Sequence, residues 1–586
     1  MVIATHGRQV AASECDRMQG SGNGSGFFLL QGTFPGLSIC LLVHIAIETA
    51  TVANIYSTHV PSSNQTSWQN VAALFRSCIA MAKTNRTETE DLVQWMISLD
   101  LDLNNDTRLA TVDAMDMMAR CSLDFGIEVV FSIKFNYMFF VGKWRAAELG
   151  LSEEDANWFT SRISIPKERK TDDYIHLLRK YGLSSPRDEL IAAKIMHFEK
   201  EMQRFVRRTT PEAAPYRLGT IESLGEMTKP YVTSEKWSTM FMRYTNLVYN
   251  GSSPISYQEY VLEVLVKVLK YQAVGVEGLR HLIAWSLFRQ MVPYTEPPPM
   301  GDEATSHACY LRVLSVMKIA VVSPYLRATV VNLQMTREAE EMMAKVIASF
   351  RAILASSEWL RDTAREAALR KIDNMQYHVG NPSGRRYDAD FVEQLYAPMP
   401  DVSEDRFFTS WRKALTLTRH QAWADQTTWQ YDASLVNAAY IKQVNAVLLP
   451  TAILQRPFFF EDGPAALNYG GLGVAHPMAR QEVIDHVRDS ESLADFVGIR
   501  TAFRAFNSLP ECQRNMKLPG IDMTAERLFF VNHCAKLCED QAGGSVRYAP
   551  ARSRCIVPIM NMPEFSDAFK CSLGTPMNPL KKCDFW

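Results

Sequence analysis

Twelve histidines are spread through this chain, and what they could do depends on their spacing. A helical zinc centre that splits peptides needs two histidines at i and i+4, stacked on one helix face, with a glutamate between them aimed at metal-bound water. The metal lowers the pKa of that water towards neutrality and the glutamate takes the proton. H-E-x-x-H occurs nowhere in the 586 residues. His476 and His486 stand near one another in the chain, but not at the spacing of one helix turn. Pro477 breaks a helix directly after His476, and Arg480 puts a cation where the second imidazole would be needed. These histidines are read as ordinary solvated or packed side chains. Glu491 and Asp495 are one turn apart, so both carboxylates share a helix face, which taken alone is a solvated face. Asn437 and Ala438 alone read as a loop or strand end, and Arg554, in R-S-R-C, as a surface charge.

The elements that must position these groups are mostly helical. Apolar residues at 339, 342, 343, 346, 347, 350, 353 and 354 make one helix face, with Thr336 as its expected N-cap. A second helical stretch runs near Tyr257 to Tyr271 and is apolar on most sides, as a buried helix would be. The loop V-P-Y-T-E-P-P-P (292–299) interrupts the helical run, and 376–435 has mixed polar composition with no clear period.

Composition narrows the class. With 47% hydrophobic and 22% charged residues the chain can bury ample core, and its length allows several domains or one large two-lobed one. Its 62 basic and 64 acidic side chains nearly balance, so nothing supports a nucleic-acid partner. Eleven cysteines lie scattered without C-x-x-C pairs, which argues against zinc ribbons. Sequons begin at Asn23, Asn64, Asn85, Asn105 and Asn250. Together these features fit an extracellular-facing protein, either secreted or anchored by one span. Phe27 to Ile47 carries no Asp, Glu, Lys or Arg and is about the ~20 residues a bilayer requires, although it holds Gln31, Pro35 and His44. It is expected to be an anchor or a poorly ordered leader.

A family resemblance rests on longer strings: V-N-A-A-Y (436–440), L-L-P-T-A-I-L-Q-R-P-F-F-F (448–460), L-N-Y-G-G-L-G-V (467–474) and E-S-L-A-D (491–495). The segments A-L-F-R-S-C (73–78), W-L-R-D-T-A-R-E-A-A-L-R-K-I-D-N-M (359–375) and the closing K-C-D-F-W add to them. The sequence resembles the neprilysin-type (M13) zinc endopeptidases. That likeness implies a mainly α, two-lobed fold with a small β component and a truncated thermolysin-like C-terminal lobe. It implies residues 1–60 as leader or anchor, 61–385 as an N-terminal-type helical domain, 386–435 as junction and 436–586 as the catalytic-type domain. Residues 474–490 stand where the family has several dozen more, including its zinc helix.

Carried over position by position, Glu491 matches the family's glutamate zinc ligand and Asp495 the aspartate that orients a ligand histidine. Asn437 and Ala438 match the pair that holds an extended peptide. Arg554 matches the arginine that polarises the substrate carbonyl, a role suited to its fixed fork of donors. Tyr548 falls at the histidine that steadies the oxyanion; it can donate a hydrogen bond but carries no charge. The likeness pairs Cys78 with Cys309 and leaves Cys538, Cys571 and Cys583 without their usual partners. Cys512, Cys534 and Cys555 could substitute only through a different geometry. The chain is expected to bind no zinc and to be catalytically inactive, at most binding peptides. Two other readings stand beside it: an active zinc endopeptidase represented by an incomplete chain, and a non-enzymatic binding or decoy protein.

Overall fold

A computed structural model describes residues 39–141, 144–162, 165–209, 215–270, 274–299, 301–329, 333–380, 387–426, 433–441, 445–475, 487–518, 520–537 and 549–583. Two compact units form, and neither is continuous in the chain. Unit 1 comprises Met1–Ala50, Pro324–Gly384 and Gln430–Trp586; unit 2 comprises Thr51–Ser323 and Arg385–Trp429. Residues 324–384, within the 61–385 that the resemblance implies as the N-terminal-type domain, make their contacts in unit 1.

Unit 2 is mostly helical around one four-stranded sheet. Strands β1 (Phe131–Val141), β2 (Trp144–Leu151), β3 (Tyr216–Thr220) and β4 (Pro254–Gln258) lie in the order β1-β2-β4-β3. The expected helix from Tyr257 begins two residues later, at Glu259, because P-I-S-Y-Q is taken up as β4. Its aromatic and β-branched residues suit a strand, and β4 pairs on both edges. The disulfide Cys78–Cys309 closes across 231 residues, as the resemblance implied.

Four helices of unit 2 converge on one carboxyl group. They are α1 (Glu153–Ser161), α2 (Lys167–Tyr181), α3 (Arg187–Thr209) and α4 (Gly275–Met291). Glu199 of α3, 6% exposed, accepts hydrogen bonds from Trp158 Nε1 at 3.1 Å, Trp285 Nε1 at 2.9 Å and the Tyr174 hydroxyl. The Tyr174 ring stacks on Trp285 with centroids 5.0 Å apart. Beside them Asp155 accepts from Ser286, Arg289 and the Val130 backbone. Burial pushes the Glu199 carboxyl up to about 7, against the pull of its donors and of Arg289.

Unit 1 builds its core on α5 (Leu333–Ser356), whose buried Ala339, Met342, Met343 and Val346 follow the expected spacing. Helix α5 begins before Thr336, which sits in its first turn; no Gly or Pro between Leu333 and Thr336 stops the helix earlier. Strands β5 (Gln376–Gly380), β6 (Ala439–Ile441) and β7 (Ala446–Pro450) form a sheet in the order β5-β7-β6. The run A-V-L-L-P is buried throughout because β7 is central, parallel to β5 and antiparallel to β6. The short α6 (Ala465–Gly470) is followed by α7 (Val487–Asn507), α8 (Ala525–Ala535) and α9 (Ala551–Met560). Phe503 of α7 stacks on Phe530 of α8 at 5.0 Å and meets Phe529 edge-on at 5.1 Å, which fixes α7 against α8. Of the expected span 27–47, residues 27–38 lie outside the described set; a helix runs Ile39–Ser57, and Ile47 is buried in this core.

Candidate functional site

The motif strings of unit 1 are stitched together through the backbone. Asn468, the Asn of N-Y-G-G, accepts from Phe460 N at 2.8 Å and donates Nδ2 to Phe460 O at 3.0 Å, closing P-F-F-F onto α6. A Cβ on Gly470 would lie 2.2 Å from Phe529 O, and one on Gly471 2.4 Å from Phe458 O. Gly470 therefore lets α6 lie directly on the backbone of α8, and Gly471 lets the chain pass close to the Phe458 carbonyl. One side chain of α8 and one at its C-terminal cap hold that contact. Asn532 Nδ2 donates to Leu467 O at 2.7 Å, and Lys536 Nζ donates to Gly471 O at 2.8 Å and Gly470 O at 3.3 Å.

Asp495 on α7 and Arg554 on α9 meet as a two-bond fork. Nε reaches Oδ2 at 2.6 Å and Nη2 reaches Oδ1 at 2.8 Å, with the side chains 25% (Arg554) and 15% (Asp495) exposed. This parallel geometry is the strongest form of the pair and sets the plane of the guanidinium. Asp495 thus orients an arginine.

Behind Arg554 lies His533 of α8, 1% exposed, with neither ring nitrogen in hydrogen-bond geometry with a partner. Burial, then the charges of Lys536 and Arg554, hold its pKa well below the ordinary histidine value, although the nearby Arg554 backbone opposes the shift. His533 is accordingly neutral and part of the packing. Next to it, Cys534 is bonded to Cys555, with Cα atoms 5.0 Å apart. Sequence reasoning left this pairing open and did not single out His533 or Lys536. The available signal was a cysteine directly after a basic residue type on each of two helices, His533-Cys534 on α8 and Arg554-Cys555 on α9.

Asn437 and Ala438 stand at the entry to β6. Asn437 is exposed and its Oδ1 accepts Ala438 N at 2.8 Å. Among the described residues β6 pairs only with β7, so its other edge carries no strand. Glu491 belongs to α7, but its side chain lies outside the described set, as do His476, His486, Cys538 and Tyr548. Among the described residues no three His, Cys, Asp or Glu side chains gather as a metal requires, so the described donors alone do not make a zinc centre. Cys571 and Cys583 are free, as are exposed Cys512 and buried Cys121.

The fold is shared with known zinc proteases. A cryo-EM structure of Mycobacterium tuberculosis zinc metalloprotease Zmp1 in its open state superimposes with a TM-score of 0.68 at 15% identity, covering 98% of this chain and 99% of that one. PepO from Lactobacillus rhamnosis HN001 gives a TM-score of 0.63 at 15% identity, covering 94% and 96%. A family model described as Peptidase family M13 matches residues 43–382, and a second of that description matches 475–585. This chain belongs to peptidase family M13. Among relatives, Neprilysin-2 of Caenorhabditis elegans is 25% identical over 342 residues, 48% of this chain and 46% of the relative. Human membrane metallo-endopeptidase-like 1 is 26% identical over 357 residues, 49% and 45%. Mouse endothelin-converting enzyme 1 is 26% identical over 309 residues, 42% and 40%. The chain thus spans about half the length of the curated relatives it matches.

Proposed function

We propose that this M13 chain captures extended peptides in unit 1 and does not hydrolyse them through zinc. The observation that carries this reading is the Asp495–Arg554 fork in a sequence without H-E-x-x-H. Asp495 spends both oxygens on fixing the plane of an arginine at the position that the resemblance matches to the one polarising a substrate carbonyl. The edge of β6 that carries no strand among the described residues, entered through Asn437 and Ala438, suits the addition of an extended chain. Zinc is the cofactor of the family; if it were held here, Glu491 is the surviving position for a ligand, and its partners would have to come from outside the described residues. We infer an extracellular-facing location, secreted or anchored, from the two disulfides and from the exposure of Asn64, Asn85, Asn105 and Asn250.

A second reading, an active zinc endopeptidase of which this chain is an incomplete representation, is favoured by the free Cys571 and Cys583, which the resemblance leaves without partners. Anisotropy of a fluorescent peptide, with mass spectrometry of the same peptide after incubation with zinc, separates the readings. Capture predicts saturable binding that Arg554→Ala weakens about 10-fold or more, the worth of a charge-assisted hydrogen bond, with the peptide intact. Cleavage would support the second reading, and absence of binding would leave the decoy reading.

A further inference from the structure

Arg554 sits in the first turn of α9. Helix α9 has ten residues, of which only Cys555, Pro558 and Ile559 are buried. Pro558 lies four residues after Arg554 and has no N–H to return to the Arg554 carbonyl, so the helix loses a bond at that point. The fork to Asp495 nevertheless requires the first turns of α9 to hold their place, because bonds of 2.6 and 2.8 Å do not survive a shift of ~1 Å. One tie at this point is covalent. Cys555, directly after Arg554, is bonded to Cys534, directly after His533, and His533 packs beside the Arg554 backbone.

We propose that the Cys534–Cys555 disulfide is a positioning element for Arg554: it fixes the start of α9 on α8, so that the guanidinium stays where Asp495 aims it. Its consequence for ligand affinity rests on the reading of unit 1 as a peptide-binding unit; its consequence for Arg554 itself does not. The bridge then makes peptide capture dependent on an oxidised pair. A phosphine reductant would supply two electrons to the S–S bond, water the two protons, and the products would be two thiols and the phosphine oxide.

The test uses the full chain and the double variant Cys534→Ala/Cys555→Ala, both footprinted with phenylglyoxal and mapped by mass spectrometry. Arg351, whose fork to Asp373 lies elsewhere in unit 1, serves as internal reference. We expect the rate of Arg554 modification relative to Arg351 to rise about 10-fold in the variant, in keeping with loss of a charge-assisted bond. An unchanged ratio in a folded variant would overturn the proposal. If circular dichroism shows the double variant unfolded, wild-type protein treated with a phosphine replaces it; Cys534 is half-buried, while Cys78 and Cys309 are fully buried in unit 2.

Peptide affinity adds a readout that a purely structural bridge would not move. Arg554→Ala should cost about 10-fold in Kd with the bridge intact and little without it. An equal cost in both backgrounds would refute positioning. A wild-type chain that binds no peptide but shows the change in footprint would refute the peptide reading and leave the positioning role standing.

Discussion

Glu199→Gln should convert a pH-dependent stability into a flat one. In the folded protein the Glu199 carboxyl titrates at about 7, mainly because burial disfavours its charge, whereas in the unfolded chain it returns to the ordinary value of 4.5. A carboxyl raised in the folded state contributes stability that is fully present below the unfolded value and is lost as pH rises through the folded one. The loss therefore falls between about pH 4.5 and 7 and is complete above it. At 1.36 kcal/mol per unit, the interval corresponds to about 3 kcal/mol. The glutamine keeps the oxygen that accepts from Trp158 and Trp285 but cannot ionise. Urea unfolding of both proteins between pH 4.5 and 8, followed by tryptophan fluorescence and by hydrogen exchange of α1 to α4, gives the difference in stability at each pH. We expect wild type to lose about 3 kcal/mol relative to the variant across the range. A flat difference would refute the reasoning. A difference of opposite sign would show that the three donors, rather than burial, control this carboxyl.

Other perturbations test unit 1. Gly470→Ala should destabilise it by about 3 kcal/mol, since the new methyl meets the Phe529 carbonyl at 2.2 Å; a loss under ~1 kcal/mol in urea unfolding would mean that the contact relaxes easily. Asp495→Asn removes the charge from the fork and should cost about 1–3 kcal/mol while weakening peptide binding in anisotropy. His533 titrates well below its ordinary value in the folded chain, so its contribution is present above pH 6.5 and is lost as pH falls, by at most about 1.4 kcal/mol per unit. His533→Phe should abolish that acid-side slope in unit 1 when the two proteins are compared by hydrogen exchange between pH 5 and 7.

The sequence made some of this legible and not the rest. The face of α5 was readable because a helix repeats its contacts every three or four residues, and Ala339, Met342, Met343 and Val346 obey that rule. N-Y-G-G was legible as a motif, but its reason was not: only the packed structure shows the Phe529 and Phe458 carbonyls within 2.4 Å of the missing Cβ atoms. Asp495 and Arg554 could be named singly, whereas their pairing across 59 residues could not, since no local period links α7 to α9. Disulfide connectivity is likewise not fixed by a list of cysteines, which is why Cys534–Cys555 had to be seen. The Glu199 cluster assembles Trp158, Tyr174, Glu199 and Trp285 from four helices, and each reads as ordinary core or surface in its own segment. The unit boundaries also escape chain order, because α5 and β5 find their apolar partners among residues after 430.

The central claim is peptide capture without zinc hydrolysis, and native mass spectrometry of the full chain with one zinc equivalent and a peptide tests it most directly. Capture predicts a complex of chain and intact peptide whose mass contains no zinc, weakened by Arg554→Ala. A chain that retains one zinc per molecule and releases peptide fragments would contradict it.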